Sequence, residues 1–311
     1  MADSMREIRR RIRSVETTEH ITNAMRLVSA AKFRRAKAHY DQAADRLSGV
    51  MKIMEQVIRE SRLTAQTGTE ASSENVSVPP HQTIVILITS NRGLCGSYNT
   101  GILRLFEELL GKHSDKVADG EASKPQQLSV YAIGSRGLDY LRHQNIPVLG
   151  SCLKAPEQIT PEEIRTICRK MLEDFGQAGN VPDGEILLVS MQYVNTLHQE
   201  PAVCRLFPWE DPGERPAEPV LSGWEREYVP SLRQVAESML PRYLELLLYR
   251  GLAEAAVCEH AARRSAMENA SENGKEMLSH LSLHYNRARQ QAITDELIEI
   301  VSGSEALKKE G

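Results

Sequence analysis

Proline is confined to the middle of this chain. All 14 prolines lie between Pro79 and Pro241. Proline lacks a backbone N–H donor, and its ring clashes with the preceding turn of a helix. Both ends of the chain are therefore free to form long, uninterrupted helices. We predict one helix from about Met5 to Arg62 and a second from near Ser231 to about Val301, where Gly303 follows as a stop signal.

The apolar residues of both ends have the spacing of a coiled-coil seam. In the first segment they are separated alternately by four and three residues, at Ala36, Tyr40, Ala43, Leu47, Val50, Met54 and Val57. Near the other end they are separated by three and four residues, at Leu278, Leu281, Tyr285, Ala288 and Ala292. A stripe along so long a helix is buried only against another long helix. We therefore predict that the two ends, residues 1–62 and 231–311, pair as an antiparallel coiled coil.

The middle of the chain has the pattern of a separate α/β domain over residues 80–207, after a polar linker over 63–79. Continuous apolar runs rich in β-branched residues predict buried strands of a parallel sheet. These runs are Thr83–Thr89, Leu128–Ile133 and Glu185–Tyr193, with an edge strand at Pro201–Phe207. Helical patterns alternate with them, at 98–110, after Gly137 to about 145, and at 161–176. The alternation predicts a Rossmann-like, mostly parallel sheet inserted between the two terminal helices.

Residues 208–230 differ from the segments on either side. They hold five of the prolines, both tryptophans and six acidic residues. This composition predicts an irregular connector, or foot, between the α/β domain and the second long helix.

The charge is unevenly distributed. The whole chain has a net charge of -4, which argues against a generally basic nucleic-acid binder. Residues 1–37, however, carry ten Arg or Lys against four Asp or Glu. This excess fits either an acidic partner surface or an ordinary solvated helix face, and the second is the commoner case. No apolar stretch approaches the roughly 20 residues of a membrane span.

The cysteines and histidines do not form a recognisable site. The five cysteines are scattered without a C-x-x-C pair, which indicates a reducing compartment and small buried residues. His280 and His284 are four residues apart, but a metal site needs further ligands. Cys95 precedes a predicted helix without a nearby histidine to mark it as a nucleophile. We predict no catalytic residue, no metal and no cofactor.

Two glycine pairs lie where a nucleotide-binding fold would carry its phosphate loop. Gly93 and Gly96 follow the first predicted strand, and Gly134 and Gly137 follow the second. Neither has the G-x-x-x-x-G-K-[ST] or G-x-G-x-x-G spacing that phosphate binding requires. We interpret both as tight strand-to-helix turns, which weakens the case for a Rossmann-like enzyme.

Three groups of residues resemble the gamma subunit of F-type ATP synthases, in the same order along the chain. The first group comprises the runs 8–15 and 21–32 of the N-terminal segment. The second is Ser90-Asn-Arg-Gly-Leu-Cys-Gly96, after the first strand. The third comprises the runs 261–270, 285–294 and 296–303. The likeness covers nearly the whole chain.

The resemblance implies a rotor shaft present as a single copy per complex. The terminal helices would stand inside a ring of alpha and beta subunits, which hold the nucleotide sites. The α/β domain and foot would contact the epsilon subunit and the membrane c-ring, with no nucleic-acid partner and no insertion into the membrane. The resemblance implies partner contacts at Met25, Arg289, Gln290, Thr294, Leu297, Glu299 and Ile300. Leu297, Ile298, Ile300 and Val301 would form an apolar tip.

The chain departs from the family pattern at three positions. The family usually has Lys where Asn23 stands, Asp where Asn91 stands and Gly where Ser97 stands. The resemblance begins by residue 5, so we expect no organelle transit peptide and a place on the cytoplasmic side of a bacterial membrane. A coiled-coil protein that binds nucleic acid, or a scaffold, is the alternative; log–log salt dependence of binding would identify the former.

Overall fold

The computed structural model describes residues 2–67, 82–118, 127–176, 184–196, 198–207, 229 and 231–309. The chain forms two compact units. The larger unit is Ala31–Ala262, and the smaller unit combines Met1–Ala30 with Arg263–Gly311. The predicted foot over 208–230 and most of the predicted linker lie outside the described residues.

Two long helices begin and end the fold, as the distribution of proline predicts. Helix α1 spans Ala2–Thr67, and α5 spans Leu232–Lys309 with Pro241 inside it. The predicted ends at Arg62 and Val301 were wrong, because both helices continue further. A single glycine costs a helix only about 1 kcal/mol, so Gly303 does not stop α5 when no proline follows it.

The larger unit contains a five-stranded sheet in the order β3-β2-β1-β4-β5. Its strands are β1 Gln82–Ile88, β2 Gln127–Ile133, β3 Val148–Cys152, β4 Gly184–Tyr193 and β5 Gln199–Phe207. All neighbouring strands are parallel except β4 and β5. The predicted mostly parallel sheet with an edge strand at its end is therefore confirmed.

Helices cover both faces of this sheet. Between the strands lie α2 Tyr98–Ala118, α3 Ser135–His143 and α4 Pro161–Gly176, with a short 3-10 helix at Pro156–Gln158. One face packs against α2 and α3 through side chains such as Tyr98, Phe106 and Leu141. The other packs against α4 and α5 through Met171, Leu248 and Leu252. The continuous apolar runs of β1, β2 and β4 follow from this burial on both faces.

Within the larger unit α1 and α5 pack antiparallel. Phe33 contacts Val257 and Ala261, and farther along Met51 contacts Tyr243. Near the second of these contacts, Met51 takes the seam position predicted for Val50. Val50 is 46% exposed, whereas Met51 is only 9% exposed. Val57, seven residues after Val50 and in the same repeat position, is only 6% exposed, so the displacement is not carried along the helix. The prediction of Val50 as a seam residue was therefore wrong.

The same antiparallel pairing is present in the smaller unit. The Arg9 Nη2 donates a hydrogen bond of 2.5 Å to the Tyr285 hydroxyl, across 276 positions of sequence. The Ser271 hydroxyl donates to Glu19 Oε1 at 2.9 Å. The predicted seam residues of α5 are all half-buried: Leu278, Leu281, Tyr285, Ala288 and Ala292.

The prediction that the cysteines are small buried residues holds for three of them. Cys95, Cys168 and Cys258 are buried, whereas Cys152 is half-buried and Cys204 is exposed. Cys204 lies on β5, the edge strand, where most side chains face outward. Sequence position alone did not distinguish this strand's outer residues from core residues.

Candidate partner-binding surface of the long helices

The sequence-predicted contact residues of α5 mostly share one side of the helix. Successive residues of an α-helix are rotated by about 100°, which places five side chains within an arc of about 140°: Arg289, Gln290, Thr294, Leu297 and Ile300. All five are exposed. We call this set the Arg289 face. It combines a guanidinium and an amide with apolar side chains, a combination suited to a carboxylate on an otherwise apolar partner.

Two predicted contact residues lie elsewhere. Glu299 is on α5 but rotated towards the line of the seam residues, although it is exposed there. Met25 is on α1 and half-buried. Because Arg9 pairs with Tyr285, a rise of 1.5 Å per residue places Met25 about 30 Å along the helices from Arg289. Met25 therefore belongs to a separate region of the smaller unit.

The apolar tip is accessible. Leu297 and Ile298 are each 57% exposed, and Ile300 and Val301 are still more exposed. Ile293, which the sequence analysis did not single out, is 45% exposed and extends the tip by one turn. Ile293 is three residues after Gln290 and four before Leu297, and this helical spacing could have identified it from the sequence. Exposed apolar side chains grouped in this way are a candidate interaction surface.

A second polar site lies in the larger unit, where three elements meet at Glu157 of the 3-10 helix. The Lys32 Nζ of α1 donates to Glu157 Oε1 at 3.2 Å. The His260 Nε2 of α5 lies 2.5 Å from Glu157 Oε2, and the His260 side chain is only 5% exposed. We call these residues the junction cluster. Sequence reasoning missed it, because the contacts join residues 125 and 103 positions apart.

The junction cluster changes the ionisation of its carboxylate. The hydrogen bond from His260, with that from Lys32, lowers the pKa of Glu157 from 4.5 to about 2, against an opposing effect of burial. A carboxyl whose pKa is lower in the folded than in the unfolded chain stabilises the fold above the unfolded pKa. That stabilisation is lost as the pH falls from about 4.5 to about 2.

We expect Glu157→Gln to lower the free energy of unfolding at pH 7 by about 1–2 kcal/mol, since one charged hydrogen-bonding partner is lost and solvent screens part of its effect. The difference from wild type should shrink below pH 4.5 and vanish near pH 2. Urea unfolding of the full chain across this range measures it. The matched control is Glu107→Gln, which removes the charge of an exposed carboxylate that accepts a hydrogen bond from the Tyr140 hydroxyl. A difference that persists unchanged at pH 2 would contradict the assignment.

The remaining sequence candidates do not converge. His280 and His284 are both exposed on α5. Across the described residues, no three His, Cys, Asp or Glu side chains are grouped as metal ligands would be. None of the described helices carries an apolar stretch that could cross a bilayer.

Comparison with known proteins identifies the family. A family model described as ATP synthase matches residues 4–307. The ATP synthase gamma chain of Moorella thermoacetica is 35% identical over 98% of this chain and 99% of its own length. That of Herpetosiphon aurantiacus is also 35% identical, with the same coverage. The chain belongs to the ATP synthase gamma chain family.

Solved structures agree with this family at the level of the fold. A chain of the Euglena gracilis mitochondrial ATP synthase, from its OSCP/F1/c-ring structure in rotational state 3, aligns with a TM-score of 0.63. It is 19% identical, and the alignment covers 99% of this chain and 95% of that one. The arrangement of two long helices around an α/β domain is therefore common to proteins with little sequence in common.

The departure from the gamma chain pattern at Asn91 has a structural explanation. Its Oδ1 accepts a hydrogen bond from the Ser135 N–H at 2.8 Å. Its Nδ2 donates to the Leu153 carbonyl oxygen at 2.6 Å. The amide thus joins the loops that follow β1, β2 and β3. An ionised Asp, the usual family residue here, could accept the first bond but could not donate the second.

The departure at Asn23 also creates a contact. Asn23 Oδ1 accepts hydrogen bonds from Arg26 Nη2 at 3.0 Å and from Nε at 3.3 Å. A lysine at position 23 would instead place a second positive charge beside Arg26. Asn23 therefore holds the guanidinium one turn along α1 rather than contributing a charge itself. Ser97, the third departure, is exposed at the start of α2, and nothing in the structure explains it.

Proposed function

We propose that this chain is the central rotor shaft of an F-type ATP synthase. In this role it couples ion flow through a membrane c-ring to ATP synthesis or hydrolysis in a head of alpha and beta subunits. The observation that carries the proposal is membership of the gamma chain family over nearly the whole chain, at residues 4–307. The exposed Arg289 face and apolar tip support it, because both have the chemistry of a covered protein surface.

The chain itself carries out no bond chemistry in this proposal. The nucleotide sites belong to the alpha and beta subunits. The shaft acts because its sides differ: near the end of α5, most of the exposed apolar residues share one side with Arg289 and Gln290, whereas Glu299 is rotated away from them. Each beta subunit around the shaft would meet a different side, and rotation would favour the open or closed state of each in turn. Only such differential contact can shift a conformational equilibrium.

The partners follow from the same role. The smaller unit would occupy the bore of the head, with Met25 and the Arg289 face against beta subunits and the tip in an apolar bearing. The α/β domain and foot would bind the epsilon subunit and the c-ring. The complex would lie on the cytoplasmic side of a bacterial membrane, with one shaft in each complex.

Affinity purification of the native, full-length chain tests the proposal. We expect alpha, beta and epsilon subunits to co-purify in fixed proportion and ATPase activity to co-elute. Recovery of nucleic acid without these subunits, with binding that weakens linearly in log–log salt plots, would support the alternative function instead. The match to the family model over residues 4–307 does not favour that alternative.

A further inference from the structure

The two units of the chain are joined covalently at only two points, both inside long helices. The unit boundaries fall between Ala30 and Ala31 in α1 and between Ala262 and Arg263 in α5. Torque that passes through this chain from the α/β domain to the smaller unit must pass along these two helices. It can do so only if both helices are fixed to the α/β domain near the boundaries.

The junction cluster is placed to do this. Lys32 is the second residue of the larger unit along α1, and His260 lies two residues before its end along α5. Both side chains contact the two oxygens of one carboxylate, Glu157. Glu157 lies on the short 3-10 helix Pro156–Gln158, between β3 and α4 of the α/β domain. One side chain thus attaches both helices to the same point of the domain.

Apolar packing alone does not fix the rotation of a helix as closely as directed hydrogen bonds do. Beside the cluster, Phe33 packs on Val257 and Ala261, with Ala36, Tyr40 and Tyr193 around them. Such contacts tolerate small sliding movements, whereas the donor and acceptor geometry of a charge-assisted bond is narrow. Burial of the His260 ring further restricts its position.

We infer that the Lys32–Glu157–His260 cluster is a clamp that fixes both shaft helices to the α/β domain, together with the Tyr193–Glu254 hydrogen bond that also holds α5, so that torque applied to the domain reaches the smaller unit without slip. The inference rests on the proposed rotor function. Glu157 is a positioning residue: it contacts no nucleotide, and it acts by holding the two helices in register with the domain that is driven.

The test uses the complete reconstituted complex with Glu157→Gln, Lys32→Arg and the control Glu107→Gln. Glu157→Gln should raise hydrogen exchange of the Gln158 amide, which donates to the Ala155 carbonyl oxygen, about 10-fold or more, the effect of losing one charge-assisted bond. The number of ions pumped per ATP hydrolysed should fall, while ATP hydrolysis continues. Lys32→Arg keeps the positive charge and a hydrogen-bond donor, so its ratio of ions pumped to ATP hydrolysed should match that of the wild type. Glu107→Gln alters a contact between α2 and α3, so it should also leave the ratio of ions pumped to ATP hydrolysed unchanged.

The ratio of pumping to hydrolysis separates a clamp from a merely structural residue, because a loss of folded complex lowers both rates together. Faster exchange with an unchanged ratio in Glu157→Gln would overturn the inference, as would unchanged exchange. Failure of the wild-type chain to assemble with alpha and beta subunits would instead overturn the proposed function.

Discussion

Gly134→Ala should destabilise the α/β domain by about 4 kcal/mol, the sum of a strained backbone and an overpacked core. Gly134 follows β2 with a φ of 100°, a conformation that residues with a side chain rarely adopt. An added Cβ would lie 2.2 Å from the Thr89 carbonyl oxygen. That oxygen is backbone at the end of a central strand, so it cannot move aside without disturbing β1.

Urea unfolding of the full chain, with hydrogen exchange of the β1 and β2 amides, measures this effect. Gly49→Ala is the matched control, because Gly49 lies within α1 and an added Cβ there meets nothing within 4 Å. That change should stabilise the chain by about 0.5–1 kcal/mol through helix propensity. A loss below about 1 kcal/mol in Gly134→Ala would show that the loop relaxes freely, against the close approach described above.

Arg289→Ala should slow turnover of the assembled complex about 10- to 150-fold without unfolding α5. The helix survives because alanine is the best helix former. A charge-assisted hydrogen bond to a partner carboxylate, worth about 1.5–3 kcal/mol, is lost. If this bond forms only in the rotation step, its loss appears directly in the rate at 1.36 kcal/mol per tenfold. Gln290→Ala should cost about 1 kcal/mol, and the double variant should be less than additive.

The measurements are the ATPase rate and ATP-driven ion pumping of reconstituted complexes, with helicity checked by circular dichroism. Gln291→Ala is the control, since Gln291 is exposed on the same helix but points about 160° away from Arg289 and lies outside the Arg289 face. It should change the rate only slightly. Normal rate and pumping in Arg289→Ala would exclude this residue as a torque contact, and loss of assembly would assign it a structural role.

The distribution of proline and the heptad spacing were enough to predict two long paired helices around an α/β domain. They did not predict that Met51 is buried instead of Val50, because that depends on the contact of Met51 with Tyr243 of α5. Strand β3 was missed because it is short and contains Gly150, which the Tyr131 ring contacts too closely for any side chain. This segment forms a strand because it pairs with β2, although its composition does not favour one.

The candidate site divides in the same way. The resemblance implied Arg289, Gln290 and the apolar tip, since all of them lie within matching runs of one helix. The junction cluster was not predicted, because its residues come together only when β3, the 3-10 helix and both long helices are in place. Asn91 was noted as a departure, yet its role became clear only when the Leu153 carbonyl was found beside it.

The antiparallel pairing of α1 and α5 also sets the order in which this chain can fold. Arg9 meets Tyr285 across 276 positions, so the pairing in the smaller unit closes a loop that contains the whole larger unit. During synthesis the apolar stripe of α1 is made first, and its N-terminal part has no partner until most of α5 has left the ribosome. Folding of the α/β domain brings the end of α1 and the start of α5 together and shortens the loop that remains to be closed. Until then the apolar stripe of α1 is exposed and can associate wrongly. The chain is therefore most prone to aggregate early in its synthesis.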